Sequence, residues 1–387
     1  SAILGGRFEA TETLTLGLNA FWRDSEIEID QSATDNSGEN TAREIAWRAF
    51  AELRTGPVLH SLGYSEVNRL REDSGGLTSR FDGRRSELDY LASIDFGTAL
   101  DGDFGVTRTV EEIDTSTIEE TDETNIAVFG ELRWRPSDAA TVSLALRQDD
   151  NSDFGQATTG RLGLAYELAD DLILRASAGT GYRAPSLFER FSSFGDPGLD
   201  PETSLSYDLG VEKRFDARGF VRATLFYIEI DELIDFDGAA TAYGSGFGCY
   251  TQVPGQTRTQ GLELSGAFDV TDAVTVSGAY TYTDAETEGE RLARVPRHDL
   301  VLGTDARFAD RWRGGAEIRH VADVLPSAFA PADNKVGDYT LINLNLAYEA
   351  WRTGEVYLRV ENAADEDYET AGGFNTPGRA IYVGLRS

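Results

Sequence analysis

Leu14-Thr15-Leu16-Gly17-Leu18-Asn19-Ala20-Phe21-Trp22-Arg23 is the stretch on which the fold turns. Leu14, Leu16, Leu18, Ala20 and Trp22 share one face of an extended chain, with Thr15, Gly17, Asn19 and Arg23 on the other. The period of two returns in Ile45, Trp47, Ala49, Ala51 and Leu53, in Leu88, Tyr90, Ala92, Ile94 and Phe96, and in Leu162, Leu164, Tyr166 and Leu168. Leu262, Leu264 and Phe268 repeat it once more. Such alternation marks a strand with one apolar and one polar face.

Working outward, nineteen segments of this kind follow one another, at about 2–10, 13–29, 43–55, 57–70, 84–97, 103–114, 124–136, 139–150, 158–168 and 171–183, then 203–215, 218–231, 257–269, 272–285, 297–308, 311–322, 338–349, 354–363 and 377–386. The links alternate in length. Arg135-Pro136-Ser137-Asp138, Ala169-Asp170-Asp171, Asp216-Ala217-Arg218, Val270-Thr271-Asp272 and Ala309-Asp310-Arg311 are tight turns, whereas 30–42, 184–202, 232–256, 286–296, 323–337 and 364–376 are long and polar. Short turns at one rim and long loops at the other are the asymmetry of an outer-membrane barrel. A soluble sandwich or propeller also alternates, but its strands centre on about 5–6 residues, and a tilted membrane strand needs about 9–11. Aromatics near strand ends, among them Trp22, Trp134, Tyr182, Tyr280, Trp312 and Trp351, fit interfacial girdles. The expected fold is therefore all-β, a transmembrane antiparallel β-barrel with about 19 strands in view.

Composition narrows the function. Among 387 residues, 35 Lys+Arg against 67 Asp+Glu leave a net charge of −32. Nucleic acid is not an expected partner, because phosphate binding needs a basic face. One Cys and three His exclude a disulfide scaffold and a Cys/His zinc site. No apolar run of about 18 residues or basic-plus-apolar leader occurs, a test that a barrel's alternating strands escape. No nucleophile, base and orienter can be assembled from residue order, so no enzyme is expected. Acidic loops and inward faces predict a negative mouth.

Because bacterial single-chain barrels have even strand numbers, an odd count with a first descending strand predicts an odd number of further strands before Ser1.

At 179–191 the chain reads GTGYRAPSLFERF, and at 197–215 PGLDPETSLSYDLGVEKRF. With RTQGLELSGAFDV (258–270), VPRHDL (295–300), RVENAADEDYET (359–370) and NTPGRAIYVGL (375–385), this resembles the barrel of TonB-dependent outer-membrane receptors. The resemblance implies a 22-stranded barrel, of which 1–387 would be the barrel domain without its N-terminal plug and first strands. It implies a place in the Gram-negative outer membrane, among outer-membrane lipid and lipopolysaccharide, and energy from TonB through the N-terminal region. The tail is most similar to vitamin B12 receptors and their catecholate-siderophore relatives, which implies a cobalamin-like corrinoid or a ferric siderophore as ligand. A passive diffusion channel (porin) and a non-transporting surface adhesion or structural barrel are the alternatives.

Large flat ligands are held by aromatic surface with a few placed polar groups. The loop residues Phe194, Asp196, Tyr243, Phe247, Tyr250, Phe329, Phe374 and Asn375 are accordingly the candidate ligand contacts, with loop-to-loop packing as the competing role. The loop containing Asp30, Asp35, Asn36 and Glu39 offers hard oxygens, and the resemblance places it where vitamin B12 receptors bind calcium. Its spacing is not that of an EF-hand, and a solvated acidic loop is the plainer reading. Pro185 and Pro201 bracket a loop, since proline donates nothing to a ladder. His60, His298 and His320 read as ordinary polar positions, and Cys249 stands alone in the longest loop.

Overall fold

The structure is a computed structural model and describes residues 1–29, 38–74, 78–238, 240, 248–326, 336–371 and 374–386. Its strands are β1 (Ala2–Glu9), β2 (Leu14–Ile29), β3 (Gly38–Thr55), β4 (Val58–Asp73), β5 (Arg80–Asp95), β6 (Leu100–Thr115), β7 (Thr121–Ser137) and β8 (Ala140–Asn151). There follow β9 (Gly155–Ala169), β10 (Leu172–Arg183), helix α1 (Leu187–Phe191), β11 (Glu202–Arg214), β12 (Gly219–Asp231), β13 (Ile234–Asp237), β14 (Cys249–Gln252), β15 (Gln256–Thr271) and β16 (Val274–Thr287). The last are β17 (Glu290–Arg291), β18 (Pro296–Ala309), β19 (Trp312–Val324), β20 (Tyr339–Trp351), β21 (Gly354–Glu361), β22 (Glu369–Ala371), β23 (Phe374–Asn375) and β24 (Ala380–Arg386).

Twenty of these strands form one sheet, and setting aside the two-residue β17 leaves nineteen, one for each segment of alternation. Sequence neighbours pair antiparallel from β1 to β8, and again from β15 through β16, β18, β19, β20 and β21 to β24. β1 pairs with β2, and β24 with β21. The short links are true tight turns. Phe96 N–H donates to the Leu100 carbonyl at 3.0 Å and Phe215 N–H to Gly219 at 2.9 Å. Asp171 and Asp216 take the left-handed conformation, which short polar side chains tolerate.

Several strands outrun the alternation at the long-loop end. β3 begins at Gly38 and β5 at Arg80, earlier than the apolar pattern indicates. Alternation records only the part of a strand that meets lipid. Beyond it the backbone ladder continues, and charged pairs across strands replace apolar ones, as in Arg43 with Asp24 at 3.8 Å and Arg80 with Asp114 at 2.8 Å. The apolar face itself has no protein over it: Val128 is 60% exposed and Leu146 56%. A soluble sandwich would bury such rows against a second sheet, whereas a membrane sheet leaves them to lipid.

The chain divides into two compact units. One comprises Ser1–Gly163, Ala178–Leu205 and Ile230–Pro254, the other Leu164–Ser177, Ser206–Glu229 and Gly255–Ser387. The buried apolar cluster of the first unit is small: Ile113, Ile118 and Leu187, with Phe81, Phe188 and Phe191 packed against it. It lies where the loop after β10 meets the polar face of the sheet.

Candidate functional site at the long-loop rim

The loop 184–201 forms a strap, and its conformation starts from Arg183, the last residue of β10. Its guanidinium grips Glu202, the first residue of β11, with two donors, Nε at 2.7 Å and Nη2 at 2.5 Å. Nη1 donates to Glu189 at 2.9 Å. Glu202 also accepts from Ile234 N–H at 2.8 Å, which ties the start of the 232–256 loop to the same pair. Bidentate pairs of this kind fix geometry as well as charge.

Ser186-Leu187-Phe188-Glu189 then starts α1 as a capping box. Ser186 Oγ accepts from Glu189 N–H at 3.3 Å, and the Glu189 carboxylate accepts from Ser186 N–H at 2.7 Å. This satisfies orphan donors at both ends of the motif, so a five-residue helix can form. Pro185 is fully buried and Leu199 3% exposed, so both ends of the strap are pinned. Gly195 closes the strap back on the helix; a Cβ there would lie 2.6 Å from the Arg190 carbonyl group, closer than side chains come.

α1 lies across the polar face of β5 to β8. Leu187 enters the cluster of Ile113 and Ile118. Arg190 reaches Glu123 on β7 at 3.3 Å and Asp153 after β8, and its guanidinium stacks on Phe154 at 4.8 Å and Phe191 at 4.5 Å. Its side chain is only 10% exposed, so the pair with Glu123 is a buried one.

A second loop closes on the first. Tyr250 on β14 donates its N–H to the Phe194 carbonyl at 2.8 Å, and Gln252 Nε2 donates to the Asp200 carbonyl at 3.1 Å. Tyr250 meets Phe188 edge-on at 6.2 Å and Phe236 at 5.3 Å, and Phe194 meets Phe236 at 5.9 Å. Burial first, then the Glu189 and Asp235 carboxylates, hold the Tyr250 hydroxyl above its ordinary value. The neutral hydroxyl is the form the loops favour, so its contribution is complete below the ordinary pKa of about 10 and disappears as pH rises through the raised value. An ultraviolet difference titration is expected to show a late tyrosine phase whose amplitude Tyr250→Phe lowers by one tyrosine. A profile unchanged by that substitution would refute it.

Of the residues expected to contact ligand, Phe194 and Tyr250 come together here, and both spend part of their surface on loop-to-loop packing. Asp196 shapes the strap: its carboxylate accepts from Gly198 N–H at 2.7 Å and its own N–H donates to the Glu189 carbonyl at 2.9 Å. Phe374 and Asn375 form β23, paired with β22. Tyr243, Phe247 and Phe329 lie outside the described residues, as do Asp30, Asp35 and Asn36. Glu39 stands on β3, opposite Glu28, with its N–H donated to Ser74 Oγ at 2.8 Å; it belongs to a strand and not to the loop. Among the described residues no group of three His, Cys, Asp or Glu is placed to hold a metal. Cys249 is fully buried. The hub residues Arg183, Glu189, Arg190 and Glu202 were not among the expected contacts, although Ser186-x-x-Glu189 is a legible capping signal.

Between α1 and β4 to β6 the strap leaves a recess of about 370 Å³ lined by Arg69, Phe81, Arg85, Ile113, Leu187 and Phe188. Arg85 pairs with Glu87 at 3.1 Å, whereas Arg69 is exposed and has no carboxylate partner among the described residues. A larger recess of about 740 Å³ lies at the short-turn end of β15 to β24, among Asp272, Arg307, Arg313, Glu355 and Arg386. Glu355 there is already held by Arg313 and Arg386, which makes it a strand-to-strand tie and a poorer ligand site.

Nineteen strands, most of them of 12 to 18 residues, with an uncovered apolar face and a loop strap folded onto the polar face, are the architecture of an outer-membrane β-barrel. The family model described as "TonB dependent receptor-like, beta-barrel" matches residues 2–363, and the chain belongs to that family. It is a family of receptors and transporters, not of enzymes. The chain is 26% identical over 278 residues to the vitamin B12 transporter BtuB of Vibrio cholerae, an alignment covering 70% of this chain and 44% of that protein. The chain thus spans less than half the length of the relative it matches. Among solved structures it resembles the siderophore receptor PirA of Acinetobacter baumannii, with a TM-score of 0.81 at 16% identity over 99% of this chain and 70% of that one. The ferric enterobactin receptor PfeA of Pseudomonas aeruginosa is similar at a TM-score of 0.79 and 17% identity, over 98% and 68% of the two chains.

Proposed function

We propose that this chain is the barrel portion of an outer-membrane receptor that takes up a scarce, bulky ligand at its extracellular mouth, with energy from TonB. The carrying observation is the strap itself. Two loops stitched to each other and to the polar face make a built mouth with an aromatic cluster and a recess beside it, which a passive pore has no use for.

A cobalamin-like corrinoid is the first reading of the ligand, supported by the tail motifs and by the relative of Vibrio cholerae. Arg69 favours the second reading, a ferric siderophore, because a guanidinium without a carboxylate partner among the described residues, beside Phe81 and Phe188, suits an anionic ring system. Calcium at Asp30, Asp35, Asn36 and Glu39 remains part of the proposal.

Calorimetric titration of the full-length protein with cyanocobalamin and with a ferric catecholate decides between ligands. One of the two is expected to bind below micromolar, and Phe188→Ala to weaken it about tenfold, the usual effect of truncating a central aromatic contact. Binding of neither, or Phe188→Ala binding as wild type, would remove the reading. If calcium supports the mouth, chelation is expected to lower affinity for the ligand, and equal affinity with and without chelator rejects that part.

A further inference from the structure

β6 carries one cation on the face that meets lipid. Arg108 pairs with Leu88 on β5 and with Ile126 on β7, and it shares its face with Val106 and Val110 on its own strand. It is exposed, and among the described residues it has no ion-pair partner.

Every other arginine on this face of β3 to β5 is supplied with acid. Arg43 has Asp24 at 3.8 Å, Arg80 has Asp82 at 2.7 Å and Asp114 at 2.8 Å, and Arg84 has Glu66 at 2.7 Å and Glu112 at 3.4 Å. All of these lie nearer the long-loop rim than Arg108 does. The nearest acid along β6 on this face is Glu112, already engaged by Arg84. Asp150 stands on the same rung two strands away, with Ile126 between.

Depth explains why the difference matters. Arg108 lies eight residues beyond Leu100, where β6 leaves its short turn. At about 3.3 Å per residue and a tilt of about 40°, its Cα stands roughly 20 Å above that turn. The apolar band is about 25 Å tall, so the residue sits within its upper edge. A guanidinium there extends its stem along Val110 and carries its charge up to the headgroup layer. Among the described residues the carboxylate at that level is Asp150, separated from Arg108 by β7, and no ion pair joins the two.

We infer that Arg108 is a docking point for the phosphate of an outer-leaflet glycolipid of the lipopolysaccharide type. The aliphatic neighbours Val106, Leu88 and Ile126 take the acyl chains, and the guanidinium takes the phosphate as a charge-assisted pair. The acid-paired arginines above it are occupied, so the anionic headgroup is drawn to this one position on an otherwise acidic rim.

The test uses the full-length protein in phosphatidylcholine nanodiscs containing either bis-phosphorylated or dephosphorylated lipid A, with retained lipid counted by native mass spectrometry. Heat-modifiable migration first establishes that each variant is folded. Arg108→Gln is expected to weaken retention of bis-phosphorylated lipid A about fivefold, the worth of one cation at an anionic surface. Arg108→Lys is expected to keep most of it, and the dephosphorylated lipid to show no difference between wild type and Arg108→Gln. Equal retention by Arg108→Gln and wild type overturns the inference, as does an equal loss with the dephosphorylated lipid. Displacement by millimolar inorganic phosphate would make it a soluble-anion site and overturn the lipid assignment.

Discussion

Arg190→Ala is expected to release the strap, raising amide hydrogen exchange in 184–201 by about a hundredfold or more while the strands keep their protection. Removing one partner of a buried pair costs about 3–5 kcal/mol, because the other charge is left without compensation. Here that charge is Glu123, whose side chain is 14% exposed, with Asp153 beside it. The guanidinium also leaves the faces of Phe154 and Phe191. Adding Glu123→Gln to the Arg190→Ala protein removes the stranded charge, so part of the protection is expected to return, and the double variant to cost less than the sum of the singles. The reporting amides are Arg190, Ser192 and Gly195, whose N–H groups donate within the strap to Ser186, Phe188 and Ser192 carbonyls at 3.1, 3.2 and 2.8 Å. Wild-type protection at these three in Arg190→Ala would show that Leu187 and the Arg183 hub hold the strap unaided.

Leu187→Ala attacks the other anchor. Leu187 is 6% exposed and sits against Ile113 at 5% and Ile118 at 6%, so truncation leaves a cavity in the first unit's only buried apolar cluster among the described residues. Such truncations cost about 2–5 kcal/mol, whereas Leu187→Met conserves volume and should cost under about 1.5 kcal/mol. Limited trypsin digestion reads the difference, because Arg190 is shielded in the closed strap and becomes a cleavage site when α1 lifts. Cleavage there is expected to accelerate by roughly two orders of magnitude in Leu187→Ala and by about tenfold at most in Leu187→Met. Equal rates in the two variants would mean that the cluster does not hold α1 down. Because Leu187 and Phe188 also wall the 370 Å³ recess, loosening α1 should lower ligand affinity together with protection.

How much of this was legible depends on what a residue answers to. Leu16, Leu18 and Trp22 answer to lipid, a uniform solvent on one side of the sheet, so their period of two is visible without knowing any partner. The polar face gave no comparable signal. Arg183 and Glu202 stand in recognisable motifs, yet nothing in their order says that they form a bidentate pair carrying Glu189 and Ile234 with it. The candidates Phe194 and Tyr250 were found because aromatic loop residues are conspicuous. Arg190 and Glu123 were not, because they are 67 residues apart and only the folded strap brings them together.

The all-β class, the nineteen strands, the short-turn and long-loop rims and the family are legible in residue order, since strand period and turn chemistry are local and a membrane rewards the same pattern at every crossing. The start of α1 lies in a stretch that reads as a polar loop, although its capping box spans only the four residues Ser186 to Glu189. Folding in three dimensions sets the rest: the loop after β10 folds back over β5 to β8, the loops of Phe194 and Tyr250 are stitched together, and among the described residues Arg108 has no ion-pair partner while Arg80 and Arg84 have two each. Those are outcomes of register and of contacts between distant segments, where a shift of one residue moves every side chain to the other face. No local pattern encodes them.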